Sequence, residues 1–90
     1  MRRDFAFLVD SDIEAGNLIR AARGAERELI SGVELFDVYE GKNIEDGKKS
    51  LAIQVTLQPV EATLTDEEID AIAAKIVAAV EKATGGSLRG

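Results

Sequence analysis

Ninety residues with 31% charged and 46% hydrophobic side chains describe one small globular domain with room for a single core. There is no Cys or His, and the aromatic fraction is 4%. That composition removes disulfides, thiolate metal sites, Cys nucleophiles and the usual imidazole general base, while a net charge of −6 excludes a domain that holds nucleic acid through bulk basicity alone.

Arg2 and Arg3 precede the apolar run Phe5 to Val9, which is too short for a secretory signal or a membrane span. The chain therefore reads as soluble and cytoplasmic with no membrane partner, and the run itself reads as a first strand. Ser11-Asp12-Ile13-Glu14 fits a capping box, predicting a helix through Leu18, Ile19 and Ala22 that Gly24 stops as a left-handed residue. The following segment, 25–30, is compatible with one more helical turn. Ser31 to Tyr39 has strand composition in Val33, Leu35, Phe36, Val38 and Tyr39. Glu40 to Lys48 holds Gly41, Asn43, Asp46 and Gly47 and reads as a long hairpin loop.

The third strand has the clearest pattern: Leu51, Ile53, Val55 and Leu57 alternate with Ser50, Ala52, Gln54, Thr56 and Gln58. Pro59 should end it, since proline cannot donate to a ladder. Thr65-Asp66-Glu67-Glu68 is a second capping box with acids at the favoured end of the helix dipole. Ile69, Ile72, Ala73, Ile76, Val80 and Ala83 then recur at helical spacing, Gly85 and Gly86 close the helix, and Ser87-Leu88-Arg89 leave room for a short last strand. The order β-α-β-β-α-β is that of the ferredoxin-like α+β sandwich, with a four-stranded antiparallel sheet and two helices on one face.

Two helices cover one face of such a sheet and leave the other open. The aliphatic set of the third strand must face the helices, which turns Ser50, Ala52, Gln54, Thr56 and Gln58 outward. By the same alternation Phe5, Phe7 and Val9 face the core, with Asp4, Ala6 and Leu8 outward. In the second strand Phe36 and Val38 point inward, leaving Leu35, Asp37 and Tyr39 outward. A phenol, a carboxylate, a serine hydroxyl and small residues thus share one surface. Each has an ordinary structural role too: Tyr39 as a half-buried packing residue, Asp37 as a cap on the adjacent loop, Asp66-Glu67-Glu68 as a solvated helix start. No nucleophile–base pair or metal-ligand cluster can be assembled, and the glycines do not form a phosphate-cradling loop between strand and helix.

Several segments in order resemble one family. They are Arg3-Asp4-Phe5-Ala6-Phe7, Leu35-Phe36-Asp37-Val38-Tyr39-Glu40-Gly41, Gly47-Lys48-Lys49-Ser50-Leu51-Ala52, Thr63-Leu64-Thr65-Asp66-Glu67-Glu68-Ile69 and Leu88-Arg89-Gly90. Together they are similar to the ferredoxin-fold anticodon-binding domain at the C-terminus of the phenylalanyl-tRNA synthetase beta chain, over essentially the whole chain. The resemblance implies a non-catalytic module that recognises the tRNA-Phe anticodon stem-loop, with the rest of the beta chain and the alpha subunit of an α2β2 ligase as partners. ATP and Mg²⁺ would serve the full synthetase, with no cofactor and no metal in this domain. Residues 1–90 would be one domain excised from a longer chain.

The family's RNA contacts fall on Ala6, Asp37, Tyr39, Ser50 and Arg89. Tyr39 would stack on an anticodon base, Asp37, Ser50 and Arg89 would hydrogen-bond base edges or backbone, and Ala6 would keep the surface low. Arg2, Arg3, Lys42, Lys48 and Lys49, at the sheet ends and hairpin, are candidate phosphate contacts. The alternative reading is a ferredoxin-like protein-interaction or small-ligand regulatory domain using the same open face. Catalysis by this domain alone is not expected.

Overall fold

The computed structural model of the chain describes residues 2–58 and 64–89. Among them the order is β1 (Arg2–Asp10), α1 (Ala15–Gly24), β2 (Ile30–Tyr39), β3 (Lys48–Leu57), α2 (Asp66–Thr84) and β4 (Ser87–Leu88). The strands form one sheet in the order β2-β3-β1-β4 with every neighbouring pair antiparallel. This is the expected ferredoxin-like α+β sandwich. Pro59, and Thr63 and Gly90 of the resembling segments, lie outside the described residues.

One face of the sheet carries Phe5, Phe7, Val9, Leu51, Ile53, Val55 and Leu57, all buried against Leu18 and Ala22 of α1 and Ile69, Ile72, Ile76 and Val80 of α2. The period-2 pattern of β3 and the 3.6 pattern of α2 meet here, each apolar stripe covering the other. Ala83, expected in that stripe, is exposed, and the next residue, Thr84, is buried in its place. Its hydroxyl donates to the Val80 carbonyl at 2.7 Å, so burial leaves it satisfied.

Both ends of α2 follow the sequence. The Thr65 hydroxyl accepts from the Glu68 N–H, and the Glu68 carboxylate accepts from the Thr65 N–H, each at 3.2 Å. Gly85 caps the far end at φ 72°, its N–H donating to the Glu81 carbonyl. The ends of α1 differ from expectation. Its N-cap is Glu14, which makes no side-chain cap bond. The Ser11 N–H is drawn across to the Gly47 carbonyl at 2.8 Å and the Ile13 N–H to the Asp10 carbonyl, so the chain turns once before the helix begins. Gly24 is the last helical residue rather than a left-handed stop; Ala25 remains right-handed after it. The expected extra turn over 25–30 is one loop of chain closed by the Ile30 N–H on the Glu26 carbonyl at 3.0 Å.

The largest correction is in β2. Leu35 lies opposite Ile53, whereas Asp37 lies opposite Ala52, so β2 carries one extra residue at Phe36. Leu35 therefore packs against the core instead of facing outward. Beyond the bulge the alternation restarts, and Val38, opposite buried Leu51, shares the helix side. Neither Phe36 nor Val38 is buried as expected: they are 57% and 51% exposed, at the end of an edge strand. A bulge re-aims the residues that follow it, and here it is what brings Asp37 and Tyr39 to the open face.

Candidate nucleic-acid interface

The open face is organised as rows of side chains running across three strands. Ala6 of β1, Ala52 of β3 and Asp37 of β2 form one row; Leu8, Ser50 and Tyr39 form the next. The Arg89 N–H prolongs β4 by donating to the Ala6 carbonyl at 2.6 Å. Its guanidinium then reaches over β1 and donates to the Ser50 hydroxyl at 3.3 Å. That cover is why Ser50, on the solvent side of the sheet, is only 5% exposed.

These residues enclose a shallow depression of about 280 Å³ lined by Ala6, Asp37, Tyr39, Asn43, Ser50, Ala52 and Arg89. The five residues singled out from the resemblance, drawn from four separate segments of the chain, all lie on it. Ala6 and Ala52 keep it low, Tyr39 adds a ring and Arg89 a guanidinium to its lining, and the Asp37 carboxylate gives it an acceptor. A planar ring entering it meets an aromatic face, a guanidinium with several donors, a carboxylate that only accepts, and a hydroxyl that does both. That set suits a heteroaromatic base with mixed edges.

Tyr39 is fixed in place at the edge of the depression. Its hydroxyl donates to the Lys42 carbonyl at 2.6 Å, fixing the ring against the hairpin, while 39% of the residue stays exposed. The hairpin is shaped by Gly41 at φ 107° and Asn43 at φ 72°. Asn43, an ordinary loop residue by its sequence, also lines the depression. The only hint in the sequence was its type, because asparagine tolerates the left-handed region better than other non-glycine residues.

The candidate phosphate contacts are divided. Lys42 sits in the hairpin, and Lys48 shares the open face with Ser50, two residues along β3. Lys48 Nζ is paired with the Asp10 carboxylate at 2.5 Å, and that hydrogen bond and charge raise its pKa above the ordinary value of 10.5. Lys49 alternates to the helix side. Arg2 and Arg3 lie opposite Thr56 and Val55, at the far end of the sheet from the hairpin. Among the described residues, no three His, Cys, Asp or Glu side chains cluster to hold a metal ion, and no helix is long and apolar enough to cross a membrane.

An antiparallel sheet with helices on one side and a polar, aromatic-walled depression on the other defines an open-faced recognition module. Comparison with known proteins agrees and is more specific: the ferredoxin-fold anticodon binding domain matches residues 1–89, and the chain belongs to that family. It is similar to phenylalanine–tRNA ligase beta subunits, with 64% identity over 87 residues to that of Bradyrhizobium diazoefficiens and 60% over 88 to that of Rhodopseudomonas palustris. The Brucella abortus beta subunit is 50% identical over 90 residues. These matches cover 97%, 98% and 100% of this chain but 11% of each relative, so the chain spans about a ninth of their length.

Proposed function

We propose that the chain is the module of a phenylalanine–tRNA ligase beta subunit that reads the tRNA-Phe anticodon stem-loop. The observation that carries this reading is the convergence of Ala6, Asp37, Tyr39, Ser50 and Arg89 on one depression, in a chain of the anticodon-binding family. Unpaired loop bases are splayed, stacked on aromatic rings and hydrogen-bonded on their edges by sheets of this kind. Tyr39 supplies the stacking face. Asp37 accepts from a base amino or imino group, Arg89 and Ser50 donate to carbonyl or ring nitrogen acceptors, and Ala6 leaves room for the ring.

Binding is this domain's whole contribution. Aminoacylation, with ATP and Mg²⁺, belongs to the alpha subunit of an α2β2 ligase in the cytoplasm, and no step assigned to these residues needs a cofactor. The net charge of −6 makes the module a reader whose affinity is completed by the rest of the enzyme. Stacking on an aromatic ring is worth about 1–3 kcal/mol per base, so Tyr39→Ala should weaken binding of the stem-loop roughly 5- to 150-fold. Tyr39→Phe keeps the ring, loses only the bond to the Lys42 carbonyl, and should retain most of the affinity. A folded Tyr39→Ala protein that binds the stem-loop as tightly as the parent would refute the reading.

A further inference from the structure

The end of α1 and the turn into β2 bring Arg20, Arg23 and Arg27 around a second depression, of about 310 Å³, with Gly24 and Ile30 completing its lining. Arg20 and Arg23 are three apart on one helix and so lie on one side of it. Arg27 follows in the turn closed by the Ile30 N–H on the Glu26 carbonyl. In a chain with 17 acids against 11 bases, these three have no carboxylate partner among the described residues. Glu26, within the same turn, is drawn off to Lys75 of α2 at 3.1 Å. Arg20 donates to the Asn17 side-chain carbonyl, which steadies it along the helix. Favourable contact with the helix dipole accounts for Arg23 in the last turn, but not for Arg27 beyond the helix or for their common depression.

Guanidinium groups with unspent donors and no facing carboxylate match the oxygens of phosphate. On the open face Lys48 is already paired with Asp10, which leaves Lys42 of the hairpin as the candidate phosphate contact beside the base-reading depression. The arginine depression lies at Ile30, the far end of edge strand β2 from Tyr39, roughly 30 Å away at about 3.3 Å per residue. We propose that Arg20, Arg23 and Arg27 form a second, sequence-independent anchor for RNA backbone phosphates, reached around the open β2 edge by a stem whose loop occupies the first depression. This rests on the anticodon-reading proposal above.

The test compares the parent chain, the R23Q/R27Q double variant and Y39A, each binding the tRNA-Phe anticodon stem-loop and a loop-scrambled stem-loop between 50 and 200 mM salt. Each lost phosphate contact should make the log–log salt slope shallower by about 0.9 and weaken binding about eightfold per arginine at 0.1 M salt. The double variant should weaken both RNAs alike and keep its preference for the cognate loop. Y39A should lose the preference and keep the slope, and R23K/R27K should restore most of the slope. An unchanged slope in R23Q/R27Q, or no RNA binding by the parent chain at 50 mM salt, overturns the anchor. So does a Gly24 amide that shifts with millimolar inorganic phosphate while both RNAs bind all variants equally, which would mark a free-anion site. Binding of polyglutamate that R23Q/R27Q abolishes, with no response to RNA, would overturn the anchor and assign the patch to an acidic protein partner instead. If Y39A behaves as the parent while the double variant loses slope, the anticodon reading fails and takes the placement of the loop with it, while the phosphate contact of the arginines stands.

Discussion

Gly86→Ala should loosen the fold at one strand and disturb the open-face depression with it. A Cβ at this position would lie 2.5 Å from Val9 Cγ1, 2.7 Å from the Leu8 carbonyl oxygen and 3.2 Å from Thr84 Oγ1, against an ordinary carbon contact of about 3.5–4.0 Å. None of these neighbours yields easily. Val9 is completely buried, the Leu8 oxygen is backbone of an inner strand, and the Thr84 hydroxyl is bonded to Val80. The two-residue β4 is held by its pairing with Phe7 and Leu8, so it should move before β1 does. Overpacking of this kind costs about 1–3 kcal/mol. At about 4–8 °C per kcal/mol for a domain of this size, thermal unfolding should fall by roughly 4–24 °C. As β4 lifts, the Arg89 N–H leaves the Ala6 carbonyl and the guanidinium leaves Ser50, so the amides of Ala6, Ser50 and Arg89 should shift. Gly85→Ala is the control: its Cβ meets nothing within 4 Å, but its φ is 72°, which costs about 1–2 kcal/mol without displacing β4. A Gly86→Ala protein as stable as the parent, with the Arg89 amide unmoved, would refute this packing.

Thr65→Ala removes the hydroxyl half of the α2 capping box and should cost about 0.5–2 kcal/mol, read as a lower midpoint in urea; an unchanged midpoint would mean the cap contributes nothing. Ile76, 1% exposed at the centre of the α2 stripe, should cost about 2–5 kcal/mol when cut to alanine, and a cost under 1 kcal/mol would show that the core collapses around the gap. In Asp10→Asn the Lys48 amine should titrate lower, back toward 10.5, and an unmoved titration would show the ion pair to be idle. Because the folded value is raised, the pair's contribution is present at neutral pH and up to the ordinary lysine value. It is lost as pH rises through the folded value, so the parent's advantage over Asp10→Asn should disappear only in strongly alkaline solution.

The parts legible in the sequence are those where one strong period acts alone. The alternation of β3 and the helical stripe of α2 each have a single solution that buries their aliphatics, and together they set which face of the sheet is open. The Thr65 box succeeded because nothing else competes for its backbone groups. Ser11 shows the contrary case: the same pattern is overridden when its N–H finds the Gly47 carbonyl, a partner 36 residues away that local spacing does not reveal. The bulge at Phe36 was invisible for a related reason, since an extra residue on one strand is defined only against its partner. Its effect on the site was nonetheless small, because the alternation drawn from Val38 and the restarted alternation beyond the bulge agree for Asp37 and Tyr39 and disagree only for Leu35. The exposure of Phe36 and Val38 depends on how far the helices extend over an edge strand, which no residue pattern encodes. Asn43 reaches the depression through a left-handed hairpin geometry that its sequence position permits but does not require.

An amide-shift titration with the tRNA-Phe anticodon stem-loop, against a loop-scrambled control, tests the central claim most directly. Anticodon reading by the open face predicts shifts centred on Ala6, Asp37, Tyr39, Asn43, Ser50 and Arg89, larger and earlier with the cognate loop. Shifts of equal size with both loops, or shifts that spare these residues, would contradict it.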